Sequence, residues 1–368
     1  MNEAIYLDYA ATTPVDEQVF EAAKPYYTDV FYNPSSAHSL GQKAKAAIER
    51  ARRQCAQAIN AYPDEIYFTS GGTEAVNMAL CGVSGGLALS AIEHDAALAC
   101  AKKLEKGGVD VVYIQPNGKG IITPDALERS INDATKLVCV MTVNNIVGSI
   151  QPIKQLAAIA HKKGALFFTD AVQAVNSLEI DVKDWDVDML AVSGHKFYAT
   201  KGAGFLYVKR GVKIAPSTVG GSQEGGLRAG THNTPAIVAL GEGIQNAKKI
   251  RASYVRHVKT VSDEFIKNLD CGKAIECQSK TDDIVSVVFR GNNGYIDGGR
   301  LAVALSVEGV CCSVGSACSA GSATPPETLV AMGVEHANSA VRFSFGRNTT
   351  VEQAQKAALI VNNVVARF

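Results

Sequence analysis

Up to about residue 250 the chain alternates short apolar runs with stretches whose apolar positions follow a helical period. The runs EIYFTS (65–70), LVCVMTV (137–143), ALFFTD (165–170), DMLAVS (188–193) and GFLYVK (204–209) predict strands. Strands covered on both faces read as continuous apolar runs rather than as alternation. Between the second and third, PIKQLAAIAHKKG (152–164) predicts a helix that proline opens, lysines close and glycine stops. Strands interleaved with helices predict an α/β domain with a mainly parallel sheet. After residue 250 the pattern changes to a long polar helix over 251–269, a strand at IVSVVF (284–289), a helix at GRLAVALSVEG (299–309), a strand at VRFSF (341–345) and a terminal helix from 351. The expected division is a large domain over 16–250 and a smaller α+β domain made by 1–15 together with 251–368. Neither internal repeats nor low-complexity segments interrupt this plan.

Composition narrows the function classes. Lys+Arg and Asp+Glu balance at 36 each over 368 residues, so no charge excess favours nucleic acid or an anionic membrane as partner. The apolar runs are far shorter than the roughly 18–20 residues that span a bilayer. The opening MNEAIYLDYAATTP has no basic region followed by an apolar one, so a cytoplasmic protein without a secretory leader is expected. Of the nine cysteines, Cys55, Cys81, Cys100, Cys139, Cys271 and Cys277 are scattered and form no CxxC pair; they read as small buried hydrophobes in a reducing compartment. Cys311, Cys312 and Cys318 fall in GVCCSVGSACSAGSATPP (309–326). They lack both tetrahedral-site spacing and a nearby histidine, so no metal site is expected.

The chemistry concentrates where two strands end. ALFFTDAVQA finishes in Asp170, with Gln173 three residues on, and DMLAVSGHK finishes in Ser193, His195 and Lys196. Ligands of open parallel sheets sit at the carboxyl ends of strands, so one crevice receives a carboxylate and a lysine. SGHKFYATKG frames Lys196 between a histidine and an aromatic pair. A surface lysine needs no such frame, whereas one that condenses with an aldehyde must be held and partly desolvated. Pyridoxal phosphate requires this combination: a lysine for the Schiff base and an anion that keeps the pyridine nitrogen protonated. Its phosphate needs a cradle, and TSGGTEAVNMAL (69–80) runs from strand through a glycine pair into a helix, so that Gly72 and Thr73 offer amides and a hydroxyl at a helix start. No Gly-Lys-Ser/Thr follows, so this is not a nucleotide-triphosphate loop, and the Gly-x-Gly-x-x-Gly of dinucleotide binding is absent.

The segments YLDYAATTP, NPSSAHSLG, FTSGGTEAVN, IEHDA, VNNIVGSIQPI, TDAVQA, SGHKFY, GGSQEGGLRAGTHN, GSACSAGS and VRFSFGR follow one another along nearly the whole chain. In that order they resemble NifS/IscS-type cysteine desulfurases, which are fold-type I pyridoxal-phosphate enzymes of the class V aminotransferase group. The resemblance implies that Lys196 holds the cofactor and takes the substrate's α-proton, with Asp170 against the pyridine nitrogen. It implies Gln173 and Asn145 at the phenolic-oxygen side of the ring and His94 stacked on it, moving protons. Thr73, Ser193 and His195 would take the phosphate, joined by Thr231 from the partner subunit of a homodimer. Asn33 and Arg342 would hold the substrate carboxylate. Cys318 matches the family's nucleophile: it would attack the sulfur of L-cysteine, leave L-alanine and carry a persulfide to a sulfur-acceptor protein, a scaffold or carrier. A loop of Gly, Ser and Ala suits that delivery. The sulfur would serve iron–sulfur clusters, or thiolated tRNA and cofactors.

Three stretches depart from the family's pattern. Asn144-Asn145-Ile146-Val147-Gly148 has an aliphatic side chain where a glutamate is usual, Tyr198-Ala199-Thr200-Lys201-Gly202 replaces Tyr-Gly-Pro-Lys-Gly, and Gln223-Glu224-Gly225-Gly226 lacks an arginine. None removes Lys196, Asp170, His94 or Cys318. The alternatives are a selenocysteine lyase, another lyase or aminotransferase on the same cofactor, and a non-catalytic sulfur carrier or scaffold. Simple amino transfer needs no thiol, so Cys318 argues against it. Cys311 and Cys312 read either as strand and core residues or as a second thiol that receives the persulfide.

Overall fold

The apolar runs become neighbours in one seven-stranded sheet. The computed structural model describes residues 4–315 and 325–368. Its strands lie in the order Ile66–Thr69, Gly204–Val208, Met189–Ser193, Leu166–Asp170, Thr135–Cys139, Gly86–Ser90 and Val111–Ile114. Gly204–Val208 runs antiparallel to both its neighbours, and every other pairing is parallel. Every residue of Gly86–Ser90, Met189–Ser193 and Gly204–Val208 is buried, because helices cover both faces. Phe167, Leu190 and Val192 face the helices Ser39–Ala58 and Thr234–Lys267. The alternate residues Phe168, Met189 and Ala191 face Gly72–Gly82 and Asp95–Lys106. The α/β class follows from this two-sided burial, as the continuous apolar runs required.

Two of the expected elements have different bounds. The run LVCVMTV leaves the ladder after Cys139, although the amides of Val140 and Thr142 still donate to Phe168 and Asp170. It stays apolar past the strand because it bends over the crevice and remains buried there. The long helix begins at Thr234 rather than 251. Gly241 in its first half would ordinarily argue against a helix. Here a Cβ on Gly241 would lie 2.8 Å from the Ala51 Cα, so the glycine lets two helices touch along their backbones.

The smaller sheet sets Ile284–Val288 antiparallel between Ala340–Ser344 and Lys273–Ala274. Its core joins Val285, Val287, Phe343 and Val361 with Ile5 and Leu7 from the start of the chain. Ile5–Tyr6 pairs in parallel with Val310–Cys311. The Thr234–Lys267 helix runs through the expected division at residue 250. Ala239 and Leu240 pack in the large core, while Val261 and Phe265 pack in the small one.

Candidate active site

Five parallel-sheet strands deliver their carboxyl ends to one cavity of about 160 Å³. Gly72 and Thr73 follow Ile66–Thr69, His94 follows Gly86–Ser90, and Asn145 follows Thr135–Cys139. Asp170 ends its strand, and Ser193, His195 and Lys196 end theirs; Gln173 and Arg342 complete the polar lining. Ten of the sequence-predicted residues thus meet. Asn33 and Thr231 are exposed and lie outside this lining. Cys318 lies outside the described residues.

Lys196 sits in a short 3₁₀ turn, Gly194–Lys196, directly after its strand. Its Nζ donates to the carbonyls of Ala10 and Ala11 at 2.6 and 2.8 Å. The turn is fixed from below: the Asn176 amide donates to the Lys196 carbonyl at 2.8 Å, and the Thr13 hydroxyl and amide both donate to the His195 carbonyl. Two residues on, Tyr198 adopts φ +65°, a conformation that costs a non-glycine residue about 1 kcal/mol or more. Its amide donates to the Thr13 hydroxyl at 2.8 Å, and the Arg347 guanidinium lies 4.0 Å over its ring. The aromatic frame read beside Lys196 therefore clamps the lysine's turn to the start of the chain.

Burial sorts the ionisable groups. Asp170 is 5% exposed, and burial raises its carboxyl above the usual range against the opposing pull of His94, the Val172 amide and Lys196. His195 is held at about 4, chiefly by burial and then by the charge of Lys196, so its imidazole is neutral at pH 7. His94 caps the Asp95–Lys106 helix by accepting the Ala96 amide on Nδ1 at 3.1 Å, which leaves Nε2 to bear the proton. The Gly72–Gly82 helix has no side-chain cap at its start. A Cβ on Gly72 would lie 2.9 Å from Val172 Cγ2 and 3.4 Å from the Ser193 Cβ. Only glycine lets this uncapped turn approach Val172 so closely.

Arg342 is 2% exposed and already engaged. Nη2 donates to Asp8 at 2.8 Å and Nη1 to the Asn145 carbonyl at 2.8 Å, while Nε is buried without a partner among the described residues. The carbonyls of Ala10 and Ala11 and the carboxylate of Asp8 escaped the sequence reading. The segment YLDYAATTP that carries them was singled out only as a motif.

Of the departures from the family pattern, Ile146 and Ala199 are buried, Thr200 is half-buried and Gly225 is exposed. Ile146 packs with Val147, Leu329 and Met332. Glu224, at φ +48°, is 6% exposed. It accepts two bonds from Arg52 at 2.8 Å and the Phe68 amide at 2.7 Å, and His232 Nε2 lies 2.6 Å away. Arg228 in the same segment pairs with Glu74 in the first turn of the Gly72–Gly82 helix at 2.8 Å. The loop leading to Thr231 is thereby tied to the strand and helix that form the glycine turn. Cys311 lies in the strand beside Ile5–Tyr6, and Cys312 packs against the small core, where burial pushes its thiol up to about 12.

The comparisons agree with this geometry. The aminotransferase class-V family model matches residues 5–356. A protein named cysteine desulfurase IscS from Dictyoglomus turgidum is 37% identical over all of this chain and 96% of its own length. A putative cysteine desulfurase IscS 1 from Bacillus subtilis is 40% identical, with both chains covered in full. A solved NifS-like protein superposes with a TM-score of 0.92 at 31% identity, covering 99% of this chain and all of that one. The chain belongs to the aminotransferase class-V family, among its NifS/IscS-type cysteine desulfurases.

Proposed function

We propose that this chain is a pyridoxal-phosphate-dependent cysteine desulfurase that converts L-cysteine to L-alanine and collects the sulfur as a persulfide on Cys318. The observation that carries this is a single cavity lined by the Lys196 amine, the buried Asp170 carboxylate and an uncapped helix start. Those three features match the aldehyde, the basic ring nitrogen and the phosphate of one cofactor, so the donor set fits it. When bound, the cofactor supplies an electron sink for the substrate's α-carbon.

The protein's own groups do the rest. Asp170 would hold the ring nitrogen, where a positive partner would relieve the burial that raises its carboxyl. Gly72, Thr73, Ser193 and His195 hold the phosphate, and His195 does so as a neutral imidazole. Gln173 and Asn145 would border the ring's oxygen side, and His94 would meet its face with the Nε2 proton available. Lys196 moves the substrate's α-proton, and the Ala10 and Ala11 carbonyls stabilise its amine when charged. Arg342 and Asn33 take the substrate carboxylate. The Cys318 thiolate attacks the substrate sulfur, the carbon–sulfur bond breaks with its electron pair kept by carbon, and protonation of that carbon gives alanine. The persulfide then goes to an acceptor protein for iron–sulfur cluster or thio-cofactor assembly. The working form is a cytoplasmic homodimer in which Thr231 serves the partner's phosphate. Residues 16–250 form the cofactor domain, and residues 1–15 with 251–368 form the smaller one. Among the described residues no helix is long and apolar enough to cross a membrane.

The test is a visible spectrum of the purified protein together with alanine and sulfide release from L-cysteine in the presence of a thiol reductant. Lys196→Ala should lose the absorbance near 400–430 nm expected of a lysine-bound pyridoxal. Cys318→Ala should keep that colour and make no sulfide. Sulfide release by Cys318→Ala at the wild-type rate would overturn the nucleophile assignment.

A further inference from the structure

We propose that Cys81 and Cys100 are a redox modification site, closing to an intrachain disulfide under a hydroperoxide and reopening with thiol reductant. Their sulfurs lie 3.5 Å apart. Cys81 stands one residue from the end of the Gly72–Gly82 helix and is exposed, whereas Cys100, within Asp95–Lys106, is buried. The two helices pack side by side through Ala75, Ala79, Ala97 and Ala101 on one face of the large sheet. A disulfide needs the sulfurs at about 2.05 Å, and the exposed Cys81 side chain is the one with room to rotate towards its partner. Neither thiol takes part in the proposed sulfur transfer.

Exposure sets the order of events. Peroxide reaches Cys81 first: its sulfur is oxidised to a sulfenic acid while the peroxide O–O bond is reduced, releasing one water. The Cys100 sulfur then attacks the Cys81 sulfur, the S–O bond breaks, and a second water leaves with the two thiol protons accounted for. Burial raises the Cys100 thiol to about 12, and the hydrogen bond and charge of Cys81 add to this. The charge of Lys103 works against that rise and favours the Cys100 thiolate. One helix begins at the glycine turn and the other behind His94. The bond therefore couples two walls of the cavity at a distance from the chemistry.

The experiment uses the full chain carrying Cys318→Ser, treated with hydrogen peroxide, alkylated unreduced and digested after glutamate. Cleavage at Glu74, Glu93 and Glu105 separates a fragment bearing Cys81 from one bearing Cys100. The expected result is a linked 75–93/94–105 pair, a loss of two titratable thiols, and recovery of both on adding dithiothreitol. Cys81→Ser should leave Cys100 reduced under the same treatment. Cys100→Ala should send Cys81 on to the sulfinic acid. Cys81 overoxidised beside a free Cys100 in the parent protein, or joined to a different cysteine, would overturn the proposal.

Discussion

Replacing Glu224 by Gln tests whether the loop before Thr231 is held by charge. The folded carboxyl sits at about 2 against an ordinary 4.5. Burial alone would raise it, but the Arg52 and His232 contacts and the Phe68 amide outweigh burial. The side chain is only 1% exposed and its Arg52 partner 12%, so solvent screening takes little from the pair. Lowering the carboxyl from 4.5 to about 2, at about 1.36 kcal/mol per pH unit, gives about 3 kcal/mol of stability. Loss of one member of a buried pair costs about 3–5 kcal/mol, which agrees. A carboxyl lowered on folding stabilises above its unfolded value and loses that effect as pH falls through its folded one. The wild-type advantage over Glu224→Gln should therefore be about 3 kcal/mol from pH 7 down to the unfolded value and fall to about 1 kcal/mol at pH 3. Urea unfolding of both proteins across this range measures it, from midpoint and slope. A gap below about 1 kcal/mol at pH 7, or one that does not change with pH, would refute the argument.

Three further outcomes follow from the same geometry. Asp8→Ala leaves the buried Arg342 without its anion, so stability should fall by about 3–5 kcal/mol in urea, and KM for L-cysteine should rise as the guanidinium loses its anchor. Gly72→Ala puts a methyl 2.9 Å from Val172 Cγ2 at the uncapped helix start; cofactor affinity should fall by about tenfold, or about 1.4 kcal/mol, read by absorbance on titrating the apoprotein. His195 is lowered on folding to about 4 from 6.5. Its unfolded form thus binds a proton first, and stability should fall as pH drops from 6.5 towards 4. His195→Gln should flatten that limb of the unfolding profile, and an unchanged limb would assign it to other groups.

What could be read in the sequence was whatever ends a long apolar run. Asp170 and Lys196 were legible because each closes a strand buried on both faces, and strand ends point to the crevice. Gly86–Ser90 was missed because GLALS is short and its glycine and serine mimic a turn. Val111–Ile114 was missed as a half-exposed edge strand. The carbonyls of Ala10 and Ala11 leave no trace in a sequence, since every residue has one. Their direction depends on Thr13 and Tyr198 locking the chain's start to the lysine's turn. Arg52 and Glu224 lie 172 positions apart, and nothing local marks either as half of a pair.

Three buried carboxylates show how the fold separates structure from chemistry. Glu224 has an arginine, a histidine and an amide around it and is driven down to about 2. It is satisfied, and its task is to hold a loop. Glu93, beside His94, is pushed up to about 7, first by burial and in part by Asp170, although it accepts the Met141 amide at 2.6 Å and the Ser90 hydroxyl at 2.8 Å. It is a polar tie between two loops at the cavity rim. Asp170 accepts one amide at 2.9 Å, and the pull of His94 and of the charged Lys196 does not offset its burial. Of the three, Asp170 alone lines the cavity. A carboxylate buried without enough positive charge is unstable as an anion, and it binds most strongly whatever brings that charge. Among the described residues, that shortfall falls on the one acid that lines the cavity.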